Sequence, residues 1–160
     1  MIIAGIDPGY GKMGVAIIEG EKLLFSDCLI TSSKESLADR LLQLGQDFEK
    51  ILKKFSPERL ALEKLFFTTN QKTAMAVAEA RGMITYLGRA HGLKIADYTP
   101  LEIKQTITGY GHASKKQVAD FLPKLIKIDK KIKEDDELDA IAVALTDLFI
   151  HKSRAIGLQK

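Results

Sequence analysis

The chain has 160 residues, enough for one domain with a real core, and its 46% hydrophobic and 28% charged residues suit a water-exposed globular fold. No apolar stretch reaches the length of a membrane span, and the start lacks the basic residues and cleavage site of a secretory leader; the solitary Cys28 excludes a disulfide framework or a cysteine-based zinc site. The expectation is one cytoplasmic domain over residues 1–160, with no membrane partner.

Residues 2–7 read as a buried strand, Pro8-Gly9-Tyr10-Gly11 as a turn, and residues 13–18 as the returning strand. Glu19-Gly20-Glu21 turns the chain again into a third strand over 23–30, so the first three strands form an antiparallel meander. Ser32-Ser33-Lys34-Glu35 reads as a capping box opening a helix. Apolar residues at 37, 41, 44, 48, 51, 52 and 55 keep the helical period until Pro57. Residues 59–63 form a short strand, and the loop Leu65-Phe66-Phe67-Thr68-Thr69 follows. A helix rich in small residues runs from Asn70, as its cap, to about Leu87. A fifth strand spans 93–98. Thr99-Pro100-Leu101-Glu102 and Ser114-Lys115-Lys116-Gln117 are two further capping boxes, each opening a helix, with the glycine-bearing loop 108–113 between them. The last helix covers about 134–150. The order β-β-β-α-β-α-β-α-α-α predicts an α/β fold: a mixed five-stranded sheet, three antiparallel strands then parallel ones, with helices on both faces.

Four acids border or interrupt segments that otherwise read as buried: Asp7, Glu63, Asp136 and Asp139. Asp7 and Glu63 fall at the carboxyl ends of predicted strands, the edge where open α/β sheets place their sites. Asp136 and Asp139 are three apart on a helix and share a face. Gathered together, four oxygen donors suit two hard cations, magnesium or manganese rather than zinc, about 3.5–4 Å apart for in-line attack at phosphorus. Taken singly each acid has an ordinary role: Asp7 before Pro8-Gly9 as a turn former, Asp136 as a first-turn acid favoured by the helix dipole. The combination carries the reading.

Net charge is +3, but residues 101–133 hold eight lysines against Glu102, Asp120 and Asp129, and residues 134–147 hold six acids and no base. A basic surface beside an acidic pocket fits a polyanion lying over bound metal, although charge alone fits a solvated helix face equally well. Phe66 and Phe67 are core aromatics or, for one of them, a stacking surface for an unpaired base. Ser114 is a cap whose helix start can also present N–H groups to phosphate. Tyr110 and His112 sit in the glycine-bearing loop, facing solvent or DNA.

Ile-Asp-Pro-Gly-Tyr-Gly-Lys-Met-Gly, Ala-Leu-Glu-Lys-Leu-Phe-Phe-Thr-Thr-Asn, Ala-Glu-Ala-Arg-Gly and Glu-Leu-Asp-Ala-Ile-Ala-Val-Ala-Leu, in this order along the whole chain, resemble the RuvC family. These are bacterial Holliday-junction resolvases of ribonuclease H-like fold. The resemblance implies paired, symmetric, metal-dependent phosphodiester hydrolysis at four-way DNA junctions in recombination and repair. It implies magnesium ligation by Asp7, Glu63, Asp136 and Asp139, with Lys104 and Lys115 beside the scissile phosphate. Asp136 fits the three-residue spacing to Asp139, and Asp135, at four, is the alternative. DNA contacts are expected from Phe66, Lys104, Ser114, Lys115 and Lys116. A homodimer through the small-residue helix and a RuvA–RuvB branch-migration partner are likewise implied. The start also looks like the first phosphate loop of actin-like and sugar-kinase folds, whose second domain 160 residues cannot supply. A non-catalytic DNA-binding module would leave the four acids unexplained.

Overall fold

The computed structural model describes residues 1–65, 71–155 and 157, with residues 71 and 72 described by their backbone alone. Strands β1 (Ile2–Asp7), β2 (Lys12–Glu19) and β3 (Lys22–Ile30) form the antiparallel meander. Helix α1 (Leu37–Phe55) leads to β4 (Arg59–Glu63), and α2 (Gln71–Ala90) leads to β5 (Lys94–Tyr98). Helices α3 (Pro100–Thr108), α4 (Lys115–Leu125) and α5 (Asp135–Ala155) complete the chain. The sheet order is β3-β2-β1-β4-β5, with β1–β4 and β4–β5 parallel. It is the mixed five-stranded sheet expected from the element order.

The two-residue alternation of the strands splits the core into two layers. Ala4, Ile6, Val15, Ile17, Leu60 and Leu62 pack on one face against Leu44, Phe48 and Leu52 of α1 and Ile84 of α2. Ile3, Ala16, Ile18 and Ala61 pack on the other against α3, α4 and α5. Helices therefore cover both faces. Asp7 and Glu63 continue the α5 side, two residues beyond Gly5 and Ala61 in register.

Two glycines set how near α5 comes. A Cβ on Gly5 would lie 2.3 Å from the Ala140 carbonyl oxygen, and one on Gly14 would lie 1.9 Å from that of Asp136. The helix backbone rests directly on β1 and β2, with Ala140 and Ala144 as its contact residues. Farther along, the fully buried Asp147 accepts from Arg59 Nε at 2.5 Å, from Arg59 Nη2 at 2.7 Å and from Tyr98 Oη at 2.6 Å. A carboxylate so placed is tolerable only because its lone pairs are met. In sequence Asp147 looks like one more acid of the segment 134–147; only the fold reveals its partners.

The capping boxes at Thr99 and Ser114 both form. The one expected at Ser32–Glu35 does not open a helix. Thr31 is tied to the β1–β2 turn, its N–H donating to the Gly11 carbonyl at 3.0 Å and its hydroxyl to that of Tyr10 at 2.7 Å. The chain leaves the sheet extended and turns at Ser32, whose hydroxyl accepts from the Lys34 N–H. Ser36 is the cap instead, its hydroxyl accepting from the Asp39 N–H at 3.1 Å. Helix α4 continues one turn past the expected end and contains Pro123. The proposed cap Asn70 and the pair Phe66 and Phe67 lie outside the described residues.

Because backbone blocks any side chain at Gly5, Gly5→Ala should destabilise the protein by about 3 kcal/mol, the upper end of usual overpacking costs. Urea denaturation followed by far-UV circular dichroism measures this.

Candidate active site

Asp7 and Glu63 reach the same sheet edge because β1 and β4 are parallel neighbours, Ile6 facing Leu62. Helix α5 brings Asp139 over them. The three acids line one cleft with Lys104 of α3 and Lys115 of α4, floored by Ile103, Val118 and Ala142. Lys115 Nζ lies 2.8 Å from Asp139 Oδ2. Lys104 faces Glu63 and opposes its protonation. A second hollow, lined by Pro8, Lys64, Leu65 and Pro100, adjoins Asp7 and Glu63.

The electrostatics of this cleft are those of too many acids too close together. Burial first, then the charges of Asp139, Glu63 and Asp136, raise the Asp7 carboxyl to about 7; Lys115 offsets this in part. Burial and Asp139 raise Glu63, against Lys115 and Lys104. The hydrogen bond from its ammonium to Asp139, then the charges of Asp139, Asp7 and Glu63, raise Lys115. A hard cation would relieve the repulsion, and the donors are all oxygen, so the residues fit a divalent ion.

Asp136 is among the charges acting on Asp7 but does not line the cleft itself. Asp135 lies on the other side of the helix start, in a hollow with Lys115 and Lys116. Glu134 is held by Lys12, Nζ to Oε2 2.6 Å. Potential ligand atoms of Asp136, Glu134 and Cys28 lie within 4.8 Å of one another. Burial, then Asp136 and Glu134, push the Cys28 thiol up to about 11, so it is protonated and a poor ligand at neutral pH. The cation this cluster already has is the Lys12 ammonium. Sequence reading missed the Lys12–Glu134 pair, 122 residues apart, because nothing local says that β2 underlies the start of α5.

Ser114 has both its groups engaged in the capping box, the hydroxyl accepting from the Gln117 N–H and its own N–H donating to Gln117 Oε1. The N–H groups of Lys115 and Lys116, ahead of the one taken by the cap, remain for an anion. Tyr110 is exposed, its ring edge-on to His112 with centroids 5.8 Å apart.

An acidic cleft at the carboxyl ends of a mixed sheet, walled by lysines, defines an α/β protein of ribonuclease H-like fold built for work on phosphodiesters. The family model for the crossover junction endodeoxyribonuclease RuvC matches residues 3–147. Curated proteins of that name from Finegoldia magna and Thermosipho melanesiensis are 40% and 43% identical, over 100% and 90% of this chain and 100% and 94% of theirs. The solved structure of T. thermophilus RuvC in complex with Holliday junction substrate has a TM-score of 0.91 at 28% identity, covering 96% of each chain. The yeast mitochondrial Holliday junction resolvase Ydc2, at 13% identity, shares the fold, with a TM-score of 0.66 over 98% of this chain and 86% of its own. The chain belongs to the RuvC family of crossover junction endodeoxyribonucleases.

The Asp7 carboxyl is raised from 3.8 to about 7, so in that window the folded state holds a proton that the unfolded state releases. The stability this contributes is full below about pH 4 and is lost as pH rises through about 7. In EDTA, Asp7→Asn should therefore raise the melting temperature more at pH 8 than at pH 5; calorimetry at the two pH values checks it.

Proposed function

We propose that this protein resolves four-way DNA junctions by cutting two opposed strands symmetrically, residues 1–160 acting as one nuclease domain. The observation that carries the reading is the convergence of Asp7, Glu63 and Asp139 from two strand ends and one helix onto a cleft whose other wall is Lys104 and Lys115. Asp7, Glu63, Asp136 and Asp139 would hold magnesium, two ions per site, with manganese as a substitute. Once bound, the ions supply an activated water and charge stabilisation at the departing oxygen.

The chain's own residues do the rest. Asp139 aims the Lys115 ammonium across the cleft, where it meets the negative charge of a phosphodiester and of its transition state. Lys104 and Lys116 extend that positive wall. The free N–H groups behind Ser114 cradle a neighbouring phosphate. Phe66, which follows Glu63 by three residues, stacks on a base at the open centre of the junction.

A two-fold dimer suits paired cuts, since two equivalent sites must face two equivalent strands. Helix α2 supports it. Its faces divide: Ala76, Ala80 and Ile84 are buried, whereas Met75, Ala78, Gly82 and Tyr86 form an exposed stripe at helical spacing. Met75 and Tyr86 are 66% and 71% exposed, large apolar side chains with nothing over them among the described residues. A branch-migration complex of the RuvA–RuvB kind delivers the junction to this dimer.

Incubation with a synthetic four-way junction and with linear duplex, with and without magnesium, tests the proposal. Only the junction with magnesium should be cut; equal cutting of both substrates rejects it. Asp7→Asn should abolish cleavage while junction binding survives, and Lys115→Ala should lower the cleavage rate more than the affinity. Tyr86→Glu should shift the mass seen by analytical ultracentrifugation from dimer to monomer and uncouple the two cuts.

A further inference from the structure

Arg40 carries the inference. It rises from the first turns of α1 and is fixed on three sides. Its guanidinium carbon lies 4.5 Å over the Tyr10 ring, its Nε donates to Thr31 Oγ1 at 2.8 Å, and Nη2 lies where a Cβ on Gly11 would be only 2.9 Å away. Thr31 is itself locked to the carbonyls of Tyr10 and Gly11. The orientation is thus set before any ligand arrives. Arg59, Arg81 and Arg89 each donate from one terminal nitrogen, to Asp147, Asp97 and the Leu93 carbonyl. The terminal nitrogens of Arg40 have no hydrogen-bond partner among the described residues.

Its position is as informative as its freedom. Tyr10 lies three residues beyond Asp7, in the turn from β1 to β2. Helices α1 and α2 both start at this sheet edge, because β3 ends beside the start of β2 and β4 ends at Glu63. Arg40 opens into a groove between those starts, with Leu37, Ala76 and Glu79 on its walls. The positive ends of two helix dipoles add to the guanidinium, against one acid in the groove and Asp39, whose carboxylate is bound to Ser36.

We propose that Arg40, held by Tyr10 and Thr31, is a second DNA-backbone site, gripping one phosphate of a strand that continues from the cleft over the β1–β2 turn onto the opposite face of the sheet. The inference rests on the nuclease reading and extends its DNA path to a face that Lys104, Lys115 and Lys116 do not occupy. A planar, preorganised guanidinium takes a phosphate through two parallel N–H donors and loses little side-chain freedom in doing so.

The test is DNA binding in EDTA by fluorescence anisotropy, across a salt series, on both a four-way junction and a linear duplex. Arg40→Gln should weaken both complexes about tenfold and lower the slope of log affinity against log salt by about 1, the signature of one lost phosphate contact. Arg40→Lys should keep the slope, since the charge remains, while losing affinity severalfold. An unchanged slope in Arg40→Gln overturns the proposal. So does an equal loss in both variants with lowered melting temperature or lost dimer mass, which would make Arg40 a clamp for the β1–β2 turn. If the wild type shows no preference for junctions, the junction part of the proposed function fails instead, and the duplex slope still decides Arg40.

Discussion

Everything at the site follows from how closely α5 lies on the sheet. Gly5 and Gly14 remove the side chains that would hold the helix away, and the carbonyls of Ala140 and Asp136 occupy the space. Contact at backbone distance is stiff, since no flexible side chain intervenes to absorb a shift. Asp139 is one residue from Ala140 and Asp136 is itself a contact point. The acids are therefore located by packing, before any metal or substrate contributes.

That placement has an electrostatic cost borne by Asp7. Three carboxylates share a cleft, a fourth lies near it, and two lysines do not neutralise them. The fold tolerates this because its hydrophobic layers are extensive on both faces of the sheet. Strain of this kind is characteristic of sites made for an ion that arrives later. The Lys12–Glu134 pair just outside the cleft matches one acid of the most acid-rich segment, while Asp136 still adds to the imbalance.

The fold was largely legible. Strand alternation, turn residues and two of three capping boxes are local signals, and local signals survive folding here. The box at Ser32 failed because Thr31 is tied to the distant β1–β2 turn, a tertiary demand that a four-residue pattern cannot express. The positions of Asp7, Glu63 and Asp139 were legible because acids at strand ends and on one helix face stand out against apolar neighbours. What stayed hidden were pairings across the chain: Arg59 with Asp147, Lys12 with Glu134, Arg40 with Tyr10. Each joins elements whose adjacency exists only once the sheet order is known.

The buried Asp147 pair can be seen as the zero mark of two matched rulers. From Arg59 to Glu63 the strand covers four residues, about 13 Å at the usual strand rise. From Asp147 back to Asp139 the helix covers eight, about 12 Å at the helical rise. Strand and helix run in opposite directions, so pinning Arg59 to Asp147 at the far end aligns Glu63 with Asp139 at the near one. An insertion or deletion of one residue in either segment would throw the two carboxylates out of alignment while leaving the sheet order intact. The length of these segments, as much as the identity of the acids, sets the geometry of the cleft.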